Sequence, residues 1–168
     1  MRGGVRLYAA QACPKIDGIT GESTDDKHKD WIEVLSYSWG AHQPASASAS
    51  SSGGASHERA NFQDFSIVKT LDMATPKLAL ACAGGQHVKS VTLELCRAGG
   101  DKVKYMEYKL TNCIISSITN GGGGGEPSES LSFNYGKVEL TYVQQKRADG
   151  TAGGNVAAGW DLQLNKKV

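Results

Sequence analysis

Val91-Thr92-Leu93-Glu94-Leu95-Cys96, a break at Ala98-Gly99-Gly100-Asp101, and then the long run from Val103 to Ile118 decide which kind of fold this chain can adopt. Val91, Leu93 and Leu95 alternate with Thr92, Glu94 and Cys96, the period of two that sends successive side chains to opposite faces of a strand. Beyond the break, Met106, Tyr108, Leu110, Ile114 and Ile118 recur at alternate positions. Two such runs joined by a glycine-containing turn predict an antiparallel hairpin.

Towards the C-terminus the same pattern continues. Five glycines, Gly121 to Gly125, predict a loop projecting into solvent, after which Leu131, Phe133 and Tyr135 share one phase. Past Gly136 the apolar positions move to Val138, Leu140 and Tyr142, so an extra residue is expected at Gly136 or Lys137, as a bulge. A glycine-rich turn over Asp149 to Gly154 leads to a last alternating strand carrying Trp160, Leu162 and Leu164.

Towards the N-terminus, Asn61 to Leu71 predicts a strand with Phe65 and Ile67 on one face. A short helix follows, with Thr75 as N-cap, Pro76 in the first turn and Gly84 in the left-handed C-terminal position. About two turns fit between them, too few to persist without a sheet to pack on. Trp31-Ile32-Glu33-Val34-Leu35 has the aromatic and β-branched content of a strand. Ile32 and Val34 then give way to Leu35, Tyr37 and Trp39 on the other phase, which implies a bulge or cover on both faces. Some seven strands, one helix and glycine-rich turns argue a mainly β fold: a flattened antiparallel β-barrel or sandwich with one short α-helix packed on its side.

The 168 residues suit one domain. Eighteen basic against seventeen acidic residues leave a net charge of +1 and no basic stripe, which excludes a phosphate-tracking surface and makes nucleic acid an unexpected partner. No apolar run approaches the ~20 residues of a membrane-spanning helix, and mean hydropathy is −0.36, so no membrane insertion is expected. Ala10-Gln11-Ala12-Cys13 has the small residues of a cleavage site, but Arg6, Gly3 and Gly4 interrupt the apolar stretch before it. No cleavable signal peptide is expected. Cys13, Cys82, Cys96 and Cys113 are widely spaced without a Cys-x-x-Cys pair and predict reduced thiols rather than a zinc or redox motif.

Catalytic patterns are lacking. His28, His42, His57 and His87 are scattered, with no His-Glu-x-x-His, Gly-x-Ser-x-Gly or phosphate-loop signature, so no catalytic residue is expected. Asp25, Asp26, His28 and Asp30 form the densest polar cluster, but it lacks the calcium-loop spacing and predicts a solvated loop; no metal or cofactor is expected. Ala45 to Ser56 contains only alanine, serine and glycine, cannot build a core, and is long for a connection inside a compact domain.

Ile16-Asp17-Gly18-Ile19, then Gly21-Glu22-Ser23, then Lys27-His28-Lys29-Asp30-Trp31-Ile32-Glu33-Val34 resemble the haemolysin co-regulated protein (Hcp) family, the tube proteins of bacterial type VI secretion. Phe65 to Leu78 with the preceding Asp64, His87-Val88 and Asp161-Leu162 extend the resemblance in order over residues 14 to 168. Family members run an apolar strand into the Ile-Asp-Gly segment, where this chain has Pro14; a shortened or mispaired first strand is therefore expected. The resemblance implies a flattened β-barrel with a helix on its side. It implies assembly of copies into a hexameric ring, and of rings into a hollow tube expelled with a spike by a sheath, with effectors in the lumen. Such a protein would be cytoplasmic before firing and then extracellular or inside a target cell.

Physically, a ring needs two complementary lateral edges for a contact that closes on itself, and two end faces for stacking. The long loop resembles the element that reaches the next ring, which makes Gln43, Ser48, Ser50, Ser52, Gly53, Gly54, Ser56, His57 and Glu58 the candidate stacking residues. Gly21, Glu22, Ser23, Lys27, His28, Asp30 and Trp31 form the motif loop. The alternative is a secreted β-sandwich that binds carbohydrate or protein as a monomer or dimer; a small hydrolase would need a triad that the sequence does not offer.

Overall fold

The structure is a computed structural model that describes residues 11–44, 59–97, 102–145 and 152–168. Its strands are β1 (Gln11–Ile16), β2 (Ser36–Ser38), β3 (Ala41–His42), β4 (Asn61–Phe62), β5 (Phe65–Thr70), β6 (His87–Cys96), β7 (Lys104–Gly121), β8 (Ser128–Gln145), β9 (Ala152–Asp161) and β10 (Lys166–Lys167), with one helix, α1 (Thr75–Ala83), before β6. The main sheet runs β1-β6-β7-β8-β5-β2, every pairing antiparallel, with β9 added to β8 and β10 to β9; β3 and β4 pair separately. On the side away from β7, β8 serves two partners: Ser128 to Phe133 pair with β5, and Lys137 to Gln145 pair with β9.

Among the described residues the path of strands does not close, so of the barrel or sandwich expected from the sequence the architecture is the sandwich. It folds over on itself. Tyr108, between Leu93 on β6 and Leu140 on β8, meets Phe65 and Tyr37 of β5 and β2, each with ring centroids 5.5 Å apart. Phe65, Ile67, Leu93, Leu110, Leu131 and Phe133 are buried between the layers. Trp39 donates its indole N–H to the Tyr135 hydroxyl at 2.6 Å, and that hydroxyl donates to the Gln63 carbonyl at 2.9 Å, so the polar tips of two core aromatics are satisfied.

The phase change at Gly136 is real, but its mechanism differs from the expected bulge. Thr111 pairs with Lys137 and Cys113 with Tyr135, so no residue is inserted. Both strands change face together: Leu110 and Val138 are buried as a pair, then Cys113 with Tyr135 and Ile115 with Phe133. Asn112 takes a left-handed φ of 55° at this corner, and a Cβ on Gly136 would lie 3.3 Å from the Asn112 Cβ. The register shift falls instead between Ile115 and Ser117. Ser116, the extra residue, donates its hydroxyl to Asp64 at 2.6 Å, and Asn134 donates to the other oxygen of the same carboxylate at 3.0 Å.

Pro14 does not shorten or shift the first strand, since β1 keeps one register against β6 from Gln11–Cys96 to Ile16–Val91. The N–H and C=O of a strand residue point to the same side, and the Pro14 carbonyl accepts from Ile32 N at 3.0 Å. The missing donor therefore faces the Ile32 segment rather than β6. That segment, expected as a strand, is an extended flap held by Ile32 N to Pro14 O, Val34 N to Ala12 O and Leu35 N to Val68 O; strand pairing begins at Ser36. Ile32 is buried, Val34, Tyr37 and Trp39 are half-buried, and Leu35 points outwards at 66% exposure.

α1 packs on β7 through the buried Leu78 and Ala81. Thr75 is its first residue and not its cap: Ala74 holds that position, and the left-handed residue after the helix is Gly85 (φ 58°) rather than Gly84. The expected strand from Asn61 to Leu71 is broken at Gln63-Asp64. The strand expected to carry Trp160, Leu162 and Leu164 is β9, which ends at Asp161, with Leu162 and Leu164 in the following turn, whose amides at Gln163 and Leu164 donate to the Asp161 carboxylate. The predicted turn at Ala98 to Asp101 lies outside the described residues; of the turn predicted over Asp149 to Gly154, residues 149–151 lie outside them, while Ala152 to Gly154 belong to β9.

Candidate functional site

The motif loop folds into a closed knot. After the turn at Gly18 (φ 79°), Gly21 N donates to Asp30 O at 2.8 Å, Asp30 N to Ser23 O at 2.9 Å and Ser23 N to Trp31 O at 2.9 Å. A Cβ on Gly21 would sit 2.3 Å from the Trp31 carbonyl oxygen, so only glycine lets the two arms of the loop meet. Inside the knot, Asp25 accepts from the amides of Lys27 and His28 at 3.0 and 3.3 Å and fixes a single turn.

That turn drives His28 inwards. The residue is 2% exposed, and its ring meets Trp31 edge-on at 4.7 Å, with the Lys15 ammonium over the Trp31 ring at 5.9 Å. Nδ1 lies 3.4 Å from Asp25 Oδ1 and Nε2 lies 2.9 Å from Glu94 Oε2 on β6. Lys104 bonds the other Glu94 oxygen at 3.0 Å and also pairs with Glu107, while Lys102 bonds Asp25. Of the Asp25, Asp26, His28 and Asp30 cluster, expected as a solvated loop, Asp26 and Asp30 are exposed, whereas Asp25 and His28 are buried, since Glu94 of β6, Lys104 of β7 and Lys102 just before it supply partners that replace water.

The charges shift accordingly. The hydrogen bond from Lys102 holds the Asp25 carboxyl well below the usual carboxylate range, against the effect of burial. Burial pushes Glu94 up, but the bonds from His28 and Lys104 outweigh it and leave its pKa lowered. Burial, joined by the Glu94 charge, pushes the Cys96 thiol up. Cys96 Sγ, His28 Nε2 and Asp25 follow the order thiol, imidazole, carboxylate, with Sγ 3.9 Å from Nε2. As a nucleophile this arrangement is poorly placed, because Cys96 and His28 are each 2% exposed and the Glu94 carboxylate occupies the space nearest Nε2.

Of the motif residues, Gly21, Ser23, His28 and Trp31 come together in the knot. Glu22 turns the other way and accepts from Met73 N at 2.9 Å, tying the loop to the turn before α1; Lys27 and Asp30 are exposed, the latter with a φ of 64°. Gln43 is exposed just beyond β3. Ser48, Ser50, Ser52, Gly53, Gly54, Ser56, His57 and Glu58 lie outside the described residues. Sequence reasoning missed Glu94, Cys96, Lys102 and Lys104, and nothing in an alternating strand pattern distinguishes a partner for a distant histidine. A second buried network was missed as well: Lys69 reaches Asp72 at 2.7 Å, Thr75 Oγ at 3.2 Å and Glu129 at 3.0 Å, and Thr75 donates to Glu129 at 2.7 Å.

The β9 side of the sheet is different in kind. Gly153 to Ala158 are exposed on both faces, and among the described residues the outer edge is covered only at Gly159 to Asp161, by β10 and Val168. Val156 is 70% exposed. From Ala152 to Gly159 there is no charge and no proline, the usual guards of an open edge.

Comparison with known proteins gives one consistent answer. Residues 14–142 match the family described as "Type VI secretion system effector, Hcp". The chain is 37% identical over 154 residues to Protein hcp1 of Pseudomonas aeruginosa, covering 90% of this chain and 94% of that protein. Among solved structures, one titled as a type six secretion system protein superposes with a TM-score of 0.87 at 38% identity, covering 95% of this chain and all of the other. Hcp1 from Salmonella typhimurium superposes with a TM-score of 0.80 at 32% identity, over 95% and 99% of the two chains. The knot, the open sandwich and these matches over most of the sequence place the chain in the Hcp family of type VI secretion tube and effector proteins.

Proposed function

We propose that this protein is the ring-forming subunit of a type VI secretion inner tube: six copies join side by side, rings stack into a hollow tube, and the tube leaves the cell with its spike. The observation that carries the reading is the β9 edge. A strand exposed on both faces, uncharged from Ala152 to Gly159 and, among the described residues, unpaired over most of its outer side is marginal as the rim of a monomer, and a second chain would satisfy the amides and carbonyls of that side.

A ring contact is heterologous, so the β9 edge meets a different surface of the next copy. Exposed apolar side chains stand both near β9, at Val156, Leu164 and Val168, and on the flap and the turn before α1, at Leu35, Leu71 and Met73. Gln43 and residues 45–58 are assigned to stacking, because the connection between β3 and β4 contains the uncharged run Ala45 to Ser56. Sheath, spike and lumenal effectors are the partners the family suggests, with the cytoplasm as the site of synthesis and the exterior or a target cell as destination.

Solution mass combined with negative-stain microscopy tests this. Annular particles of six-subunit mass are expected, and Val156→Lys is expected to reduce them to monomers by placing a charge on the edge. Monomers of the unaltered protein at every concentration would overturn the reading.

A further inference from the structure

We propose that His28, Glu94 and Cys96 form a binding site for a divalent transition-metal ion, Zn2+ in particular. One ligand atom from each, Nε2, a carboxylate oxygen and Sγ, lies within 4.8 Å of the other two. A tetrahedral zinc with Zn–S near 2.3 Å and Zn–N or Zn–O near 2.1 Å separates sulfur from nitrogen by about 3.6 Å and nitrogen from oxygen by about 3.4 Å. The corresponding distances here are 3.9 Å and 2.9 Å, so small side-chain rotations bring all three to one centre.

Three further features favour a metal over a hydrogen-bonded cluster alone. Glu94 and Cys96 are two apart on β6 and so project from the same face, one by an oxygen and one by a sulfur, the donor types that together with imidazole suit zinc. The far nitrogen of His28 faces the buried Asp25 carboxylate at 3.4 Å, the arrangement that fixes the tautomer of a zinc-bound imidazole. Charge also balances. Asp25, Glu94, Glu107 and a Cys96 thiolate carry four negative charges, which Lys102, Lys104 and a divalent ion cancel. On binding, the Cys96 thiol gives up its proton to solvent and the ion is bound at Nε2 of an imidazole whose one proton stays on Nδ1, towards Asp25; no redox change occurs. The fourth position is left to water. The residues come from a loop and a strand 66 or more positions apart in sequence, which is why no ligand spacing announces the site.

Chelator-treated, reduced protein titrated with Co2+ provides the test, because a thiolate on cobalt gives a near-ultraviolet charge-transfer band that a carboxylate cluster does not. One equivalent of Co2+ is expected to produce the band, and Zn2+ to displace it while raising Tm. Cys96→Ser and His28→Gln are expected to abolish the band, and Cys82→Ser, on α1, to keep it. Asp25→Asn is expected to weaken zinc binding by about 10–100-fold while leaving the band visible at high cobalt. Absence of the band in the unaltered protein, or its survival in a folded Cys96→Ser variant, overturns the assignment. The titration of the unaltered protein is decisive by itself, so failure of a variant to fold does not leave the question open.

Discussion

Lys69 and Glu129 stand directly opposite one another on β5 and β8, Nζ 3.0 Å from Oε2, with both side chains shut off from solvent. Oε1 of Glu129 is buried without a hydrogen-bond partner among the described residues. Removing one member of such a pair strands a charge in a low-dielectric interior, and Lys69→Met is expected to cost about 3–5 kcal/mol. Replacing both, as Lys69→Met with Glu129→Gln, is expected to recover much of that loss. Urea denaturation of the two single variants and the double variant checks this, and simply additive costs would show that the two charges act separately.

Gly21→Ala tests whether the motif knot is sealed by backbone contact. A methyl group 2.3 Å from the Trp31 carbonyl oxygen forces the two arms apart, and a loss of about 2–4 kcal/mol is expected from the overpacking and the broken Gly21–Asp30 hydrogen bond. Gly18→Ala meets no atom within 4 Å and bears only the cost of its φ of 79°, about 1–2 kcal/mol. Calorimetry is expected to place Tm in the order unaltered protein, Gly18→Ala, Gly21→Ala.

Tyr135→Phe isolates a buried hydroxyl. The variant leaves the Trp39 indole N–H and the Gln63 carbonyl without their partner, and a loss of about 1–3 kcal/mol is expected with the fold retained. Trp39 fluorescence followed through a denaturant titration reports both the loss and the changed environment of the ring.

Alkaline pH is expected to unfold the protein through its buried thiols. Burial pushes Cys113 from 9.0 up to about 12, so the folded state keeps its proton where the unfolded chain has lost it. Stability from this group is complete below pH 9 and falls as pH rises towards 12, at a slope approaching about 1.4 kcal/mol per pH unit. Tyr135, raised from 10.0 to about 12 by burial, adds to the decline above pH 10. Cys113→Ala is expected to flatten the curve between pH 9 and 12; an unchanged curve would assign the alkaline transition to other groups.

Deleting Ala47 to Gly54 is expected to leave rings intact and abolish stacks. Microscopy separates the two assemblies, and loss of rings together with stacks would remove residues 45–58 from the stacking assignment.

The alternation of Val91, Leu93 and Leu95 was enough to place β6, and with the apolar period of the run after it predicted the antiparallel pairing of β6 with β7. Asp64, Gly21 and His28 were visible as parts of a family pattern, but their tasks were not. Asp64 binds the bulge residue Ser116, Gly21 gives room to a carbonyl, and His28 reaches a carboxylate 66 residues away. Each of these depends on a contact between segments distant in sequence, which local periodicity does not encode.

By itself the sequence determined the strand periods, the place of the one helix, the absence of a long apolar run and the family, because each is written in residues close together along the chain or matched in order. Only the tertiary structure decided that the sheet stays open, that β7 and β8 change face together at Asn112 and Gly136, that Pro14 turns its missing donor away from β6, and that the polar motif loop is buried. Those outcomes follow from which surfaces meet when the sheet folds over, and a buried charge acquires its partner only at that point.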